Sequence, residues 1–265
     1  MNANSIQPST LGTAGAWQPK ANHAYGVDPY RPQRYSLRQA RYHALAEDMN
    51  RLAREAAARG EKLRVLDVGF GTGILVRYLE PGGQLDHMTL SGADYKDNGD
   101  GVYRRDAYGQ IFLGDLTDGY PEIPSESYDV IVCEQVLEHL PRIEAAIGFF
   151  QRVLRPGGTL FVGVPIFVPP LVLGRRYIVP VLDRVTRRKR SRGHLQAFSL
   201  GNFVGAMRRH SELRLEKVRG FRIISGGLLK SLENHRWWWA FNRWLGEQVP
   251  SLCIEIQAVM TKPIA

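Results

Sequence analysis

Cysteine is almost missing from this chain: Cys133 and Cys253 are the only two, and both sit in apolar runs. That excludes a disulfide framework and a cysteine-rich metal centre, and leaves both as expected small buried hydrophobes. A reducing cytoplasm suits such a chain. No run of about 20 uncharged apolar residues is present, so no spanning helix is expected. The first residues lack a basic stretch leading into an apolar core, so no secretory signal is expected either. Acidic residues are scarce between Arg175 and Arg192, with Asp183 alone against eight Arg or Lys. Most of the formal charge of +9 therefore lies in one short segment. This points to a local anionic partner rather than a uniformly basic surface.

What is present suits one α/β domain with extensions: 265 residues, 44% of them hydrophobic,. Residues 1–35 have no periodicity and read as an irregular leader, and residues 36–265 read as a single domain. Ser36 to Gln39 has the form of a capping box, and Leu45, Met49, Leu52 and Ala56 make an apolar stripe ending before Gly60. A helix lying on a sheet is predicted there. The organising stretch follows, Leu63-Arg-Val-Leu-Asp-Val-Gly-Phe-Gly-Thr-Gly-Ile74. It reads as a buried strand, a glycine turn, and a helix carrying Leu75, Tyr78 and Leu79. Glycines at such a turn let a ligand lie against bare backbone, and the helix start adds free N–H groups. A Walker loop is excluded because Gly73 is followed by Ile74 rather than Lys. A dinucleotide fingerprint fails because its third glycine position is Ile74. A merely structural turn remains open on this stretch alone.

Later segments repeat the strand pattern. Met88 to Asp94 reads as a second strand ending in an acid, one strand–helix–strand unit after the glycines. An acid there can accept both ribose hydroxyls of an adenosine ligand. Gln110 to Asp115 reads as a third strand, Ser127 to Cys133 as a fourth, and the segment after Pro156-Gly-Gly158 as a fifth. Leu213 to Val218 and Cys253 to Met260 alternate as a sixth and a seventh. In this order, "VLDVGFGTG", "YDVIVCEQVLEHLP" and "LRPGGTLFVGVP" resemble the motifs of class I S-adenosylmethionine (SAM)-dependent methyltransferases, over roughly residues 62 to 165. The resemblance implies a Rossmann-like, seven-stranded, mostly parallel sheet with an antiparallel last strand and helices on both faces. It implies SAM as cofactor, held by Asp67, Gly69, Phe70, Gly71, Gly73, Asp94 and Tyr95. Asp115 and Leu116 are expected at the adenine, and Glu134 and Gln135 beside the methionine part. Glu138 and His139 read either as a pair capping the next helix or as catalytic groups. His194, in a stretch similar to the entry of these enzymes' last helix, is the first candidate base and His139 the second. No metal site is expected.

Two stretches depart from a plain core. Residues 166–192 read as a basic amphipathic insertion, with Ile178, Val181, Leu182 and Val185 at helical spacing. Residues 226–250 read as a Trp-rich insertion, with Trp237, Trp238, Phe241, Trp244 and Leu245 on one helical face. Either they cover the mouth of the active site, or residues 166–192 and 237–245 meet an anionic membrane surface. Nucleic acid is disfavoured, since the arginines are not interleaved with aromatics. The expected function is methyl transfer to a small or amphipathic acceptor, a quinone precursor, a lipid or an envelope glycan intermediate. O-methylation is favoured, because Glu134-Gln135 stands where amine methylation of bases would need Asn/Asp-Pro-Pro-aromatic. The alternative is a SAM-binding partner protein at the membrane that does not catalyse. The expected location is the cytoplasm, on the inner face of the membrane where the insertions attach.

Overall fold

The computed structural model describes residues 37, 40–167, 195–223, 232 and 235–264. The leader, Ser36 of the capping box, most of the basic insertion and His194 lie outside the described residues. Seven strands form one sheet: β1 Leu63–Val68, β2 Met88–Asp94, β3 Tyr108–Leu113, β4 Tyr128–Glu134, β5 Leu154–Pro165, β6 Arg214–Phe221 and β7 Glu255–Thr261. Their order is β3-β2-β1-β4-β5-β7-β6. The pairs from β3 through β5 are parallel, and β7 runs antiparallel to both β5 and β6. The expected sheet, with its reversed last strand, is the one observed.

The strands read as continuous apolar runs because both faces are covered. On one face Val65, Val130, Val132 and Phe161 pack beneath α1 (Ala40–Ala58) and α2 (Ile74–Leu79). On the other, Leu66, Ile131, Val162 and Ile256 pack beneath α3 (Ile143–Val153) and α4 (Leu200–His210). The predicted stripe of α1 is largely buried, with Leu45, Met49 and Ala56 at 2% exposure or less. α4 starts at Ser199, whose side chain accepts from Asn202 N–H in a capping box. The Trp-rich segment forms α5 (Arg236–Gln248), which joins Trp239 to Ala40, Ala44 of α1 and Phe221 of β6. Its rings follow the expected face, Trp237 to Trp238 at 5.5 Å, Trp238 to Phe241 at 5.8 Å and Phe241 to Trp244 at 6.0 Å, but their exposure differs. Trp238 is buried, while Trp237, Phe241 and Trp244 are exposed.

A row of buried polar groups crosses the sheet under α1. Glu134, Gly163, Gln257 and Arg219 stand in register on β4, β5, β7 and β6, so they share one face. Gln257 donates to Glu134, and Arg219 donates to Gln257 Oε1 at 2.7 Å. Arg219 continues to Asp48 of α1 at 2.9 Å. Arg41, in the first turn of α1, pairs with Glu134 at 3.0 Å and with Glu255 at 2.7 Å. The row closes only because residue 163 has no side chain, since a Cβ there would collide with the Glu134 carboxylate. Gly163→Ala is therefore expected to destabilise the protein by about 1–3 kcal/mol, the usual range for overpacking. Urea denaturation checks this, and an unchanged midpoint and slope would contradict the row's tight closure.

Candidate active site

The carboxyl ends of β1, β2 and β4 carry the site. After β1 the chain turns through Gly69, Gly71 and Gly73, all with positive φ (73°, 54° and 71°). Two of these positions have different reasons to be glycine. At Gly73 a Cβ would collide with the carbonyl oxygen of Tyr103. At Gly71 a Cβ would meet nothing nearer than Gly69 O at 3.7 Å, so the main chain there lies open to a ligand,. The stretch between β2 and β3, which has no helical period, supports the turn from behind. Tyr103 N–H donates to Thr72 O at 2.9 Å, and Asn98 Nδ2 to Gly71 O at 2.8 Å. Arg105 paired with Asp97 at 2.6 Å holds that stretch together.

Asp94 ends β2 and faces the turn. Its Oδ2 accepts from Gly71 N–H at 2.9 Å. An ionised carboxylate has about four acceptor positions, so capacity for ligand hydroxyls remains. Gly114 N–H donates to Asp94 O at 3.0 Å, which places the next carboxylate, Asp115, beside the first. Thr117 N–H and Oγ1–H donate to Asp115 Oδ1 at 2.8 and 2.7 Å. These bonds hold the Asp115 carboxyl below the usual carboxylate range.

A cavity of about 300 Å³ opens between these groups. Gly69, Asp94, Tyr95, Asp115 and Leu116 line it, together with Gln135 and His139 on the opposite wall. Gln135 is held in the left-handed region, φ 58°, with its N–H donating to Gly163 O at 2.9 Å. A non-glycine residue at such an angle stores strain, and such strain concentrates at functional sites. Tyr120 also lines the cavity, and nothing in the sequence pattern singled it out beyond the turn signal of Tyr120-Pro121. Its phenol is pushed up by burial and by the nearby Asp94 and Asp115, so it stays protonated and donates to Gly114 O at 2.8 Å.

Five expected cofactor residues do not line the cavity: Gly71 and Gly73 lie in the turn that leads to it, with Gly71 bonded to the lining residue Asp94, and Phe70, Glu134 and Asp67 are engaged elsewhere. Phe70 is buried against the Tyr108 ring, 5.2 Å between centroids, over Gly92. Glu134 belongs to the polar row under α1. Asp67 lies beneath the turn and accepts from Tyr108 Oη–H at 2.8 Å. Glu138 and His139 do not cap the next helix: α3 begins after Arg142 and has no side-chain cap. Glu138 is instead buried, its Oε1 3.9 Å from His139 Nε2. Its carbonyl accepts from Leu195 N–H at 2.7 Å and Gln196 N–H at 3.0 Å, so the chain re-enters the described structure at the cavity's rim.

Burial raises both the Asp67 and the Glu138 carboxyls to about 7. In Asp67 the Tyr108 bond opposes this, and Asp94 and Glu134 add to it. Between about pH 4 and 7 the folded chain therefore keeps protons that the unfolded chain releases, and these groups make stability fall as pH rises through that window. Asp67→Asn is expected to flatten part of this fall in denaturation series run from pH 4 to 8. A slope identical to the parent's would show that Asp67 is ionised throughout.

The comparisons with known proteins agree with this geometry. The model of a methyltransferase-domain family matches residues 36–211. A ubiquinone biosynthesis O-methyltransferase of Xanthomonas oryzae pv. oryzae is 35% identical over 98 residues, 36% of this chain and 38% of that protein. One of the same name from Pseudomonas savastanoi pv. phaseolicola is 29% identical over 167 residues, 59% of this chain and 67% of that protein. Among solved structures, a Bacillus halodurans C-125 protein described as a methyltransferase superposes with a TM-score of 0.53 at 17% identity, covering 82% of this chain and all of that one. A SAM-dependent methyltransferase of Mesorhizobium loti gives 0.50 at 15%, covering 76% and 92%. SAM is the cofactor of this fold, and the open backbone at Gly71 beside a carboxylate with spare acceptor capacity fits it. The chain belongs to the methyltransferase-domain family and has the class I SAM-dependent methyltransferase fold.

Proposed function

We propose that the protein is an O-methyltransferase acting on a small or amphipathic acceptor, with quinone precursors first among the candidates. The observation that carries this reading is the Gly71–Asp94 bond at the edge of a cavity whose far wall bears an ionisable ring, His139. The O-methyltransferase names of the relatives support the choice of oxygen. Residues 36–265 act as a single domain in this reading, with 1–35 as a leader.

SAM supplies an electrophilic methyl group when bound. Asp94 would accept from the ribose hydroxyls and Asp115 from the adenine amino group, with the Gly69–Gly73 backbone leaving room for the adenosyl part. Asp67, below the turn, favours positive charge above it once ionised. Gln135 and Val136, at the end of β4, hold the acceptor end of the cavity. His139 takes the acceptor's hydroxyl proton at an imidazole nitrogen, and the neighbouring Glu138, in its ionised form, stabilises the imidazolium that results. His194, the first candidate base on the sequence, lies outside the described residues and stands here as the alternative to His139. It precedes Leu195, which is bonded to Glu138 O at the cavity's rim.

The acceptor is proposed to reach the site from a membrane surface on the cytoplasmic side. Trp237, Phe241 and Trp244 form an exposed row on α5 with ring centroids 6.0 Å apart between the last two. Tryptophan suits the headgroup boundary, and the cationic stretch 175–192 suits anionic lipid,. Among the described residues no helix is long and apolar enough to cross a membrane.

The test is product formation from SAM and a panel of catechol and phenol acceptors, followed by mass spectrometry for a 14-dalton gain, roughly one methylene as expected for transfer of a methyl in place of a proton. His139→Ala is expected to lower kcat about 100-fold or more with little change in SAM affinity. Tight SAM binding without product from any acceptor would favour the non-catalytic partner protein instead.

A further inference from the structure

Tyr120, on the cavity wall, has a strained backbone. Its φ is +41°, in the left-handed region that a bulky aromatic residue avoids,. The conformation is held from outside. Arg152 of α3 donates to Gly119 O at 2.7 Å, to Tyr120 O at 3.1 Å and to Ile123 O, three carbonyls of one short loop. Ile123 N–H also donates to Tyr120 O at 3.0 Å, and Phe149 of α3 packs on the Tyr120 ring at 5.5 Å. So fixed, the phenol reaches back and donates to Gly114 O. The peptide group before Gly114 donates on its other side to Asp94 O. Gly114 is thus clamped between the end of β2 and Tyr120, directly before Asp115.

We propose that Tyr120 is a positioning residue for cofactor recognition: by fixing Gly114 it sets the distance between Asp94 and Asp115, and its ring walls the same end of the cavity. Arg152, which does not itself line the cavity, holds Tyr120 in place. The strained backbone stays because the loop carbonyls and the phenol are all satisfied by this one arrangement. The inference rests on the cavity being the SAM site, and the parent protein's own titration tests that separately.

The experiment is calorimetric titration of S-adenosylhomocysteine and of its inosine analogue, which lacks the adenine amino group, into the parent, Tyr120→Phe and Arg152→Lys. Tyr120→Phe keeps the ring and removes only the bond to Gly114. It is expected to weaken S-adenosylhomocysteine about 5- to 10-fold, the scale of one neutral hydrogen bond. The parent's preference for adenosyl over inosyl is expected to shrink by a similar factor, while the melting temperature stays near the parent's. Arg152→Lys, which loses the fork that spans three carbonyls, is expected to shift the same preference in the same direction. An adenosyl-to-inosyl ratio equal to the parent's in both variants would overturn the proposal. A parent that binds neither ligand would overturn the cavity assignment instead.

Discussion

One hydrogen bond joins the two loops on which this site depends: Gly71 N–H to the Asp94 carboxylate, 2.9 Å. It ties the turn after β1 to the end of β2, and the two strands are parallel neighbours inside the sheet. The parallel register brings their carboxyl ends to one edge, so a backbone cradle and a carboxylate meet without any long connection. The turn is then supported from behind by Tyr103 and Asn98. Asp94 is supported from the side by Gly114, which Tyr120 clamps in turn. The site is a chain of short backbone contacts, each holding the next.

Beneath it the sheet carries an unusual burden of buried charge. Asp67, Glu134, Glu255 and Arg219 are all under 8% exposed. Buried ion pairs gain little net stability, because desolvation offsets most of the attraction, but breaking one leaves an expensive orphan. The row from Glu134 to Asp48 therefore fixes where α1 sits rather than how firmly the domain holds.

The strands were legible because apolar runs and their spacing report burial on both faces directly. The glycine turn and the two carboxylates at strand ends were legible for a similar reason: local chemistry demands those residue types. The rest depends on register and tertiary contact. That Glu134 turns under the sheet follows from Gly163 lying opposite it on β5, which a linear reading does not pair. Tyr120 and Arg152 are 32 residues apart and meet only through a loop whose strain is invisible in sequence. The stretch between Asp94 and Tyr108 had no period because it is built of single 3-10 turns and ion pairs. The helical face expected at Trp237, Trp238, Phe241 and Trp244 is there as a run of touching rings, but spacing alone does not say that Trp238 is buried while the other three are exposed.

The central claim is that Asp94 and the open turn at Gly71 together receive the adenosyl half of SAM. Asp94→Asn tests it most directly, since an amide oxygen can still accept from Gly71 N–H while the charge that strengthens bonds to ligand hydroxyls is lost. Measured by calorimetry, SAM is expected to bind the variant roughly 10- to 100-fold more weakly, the scale of charge-assisted hydrogen bonds. Binding as tight as the parent's would contradict the account and move the cofactor elsewhere.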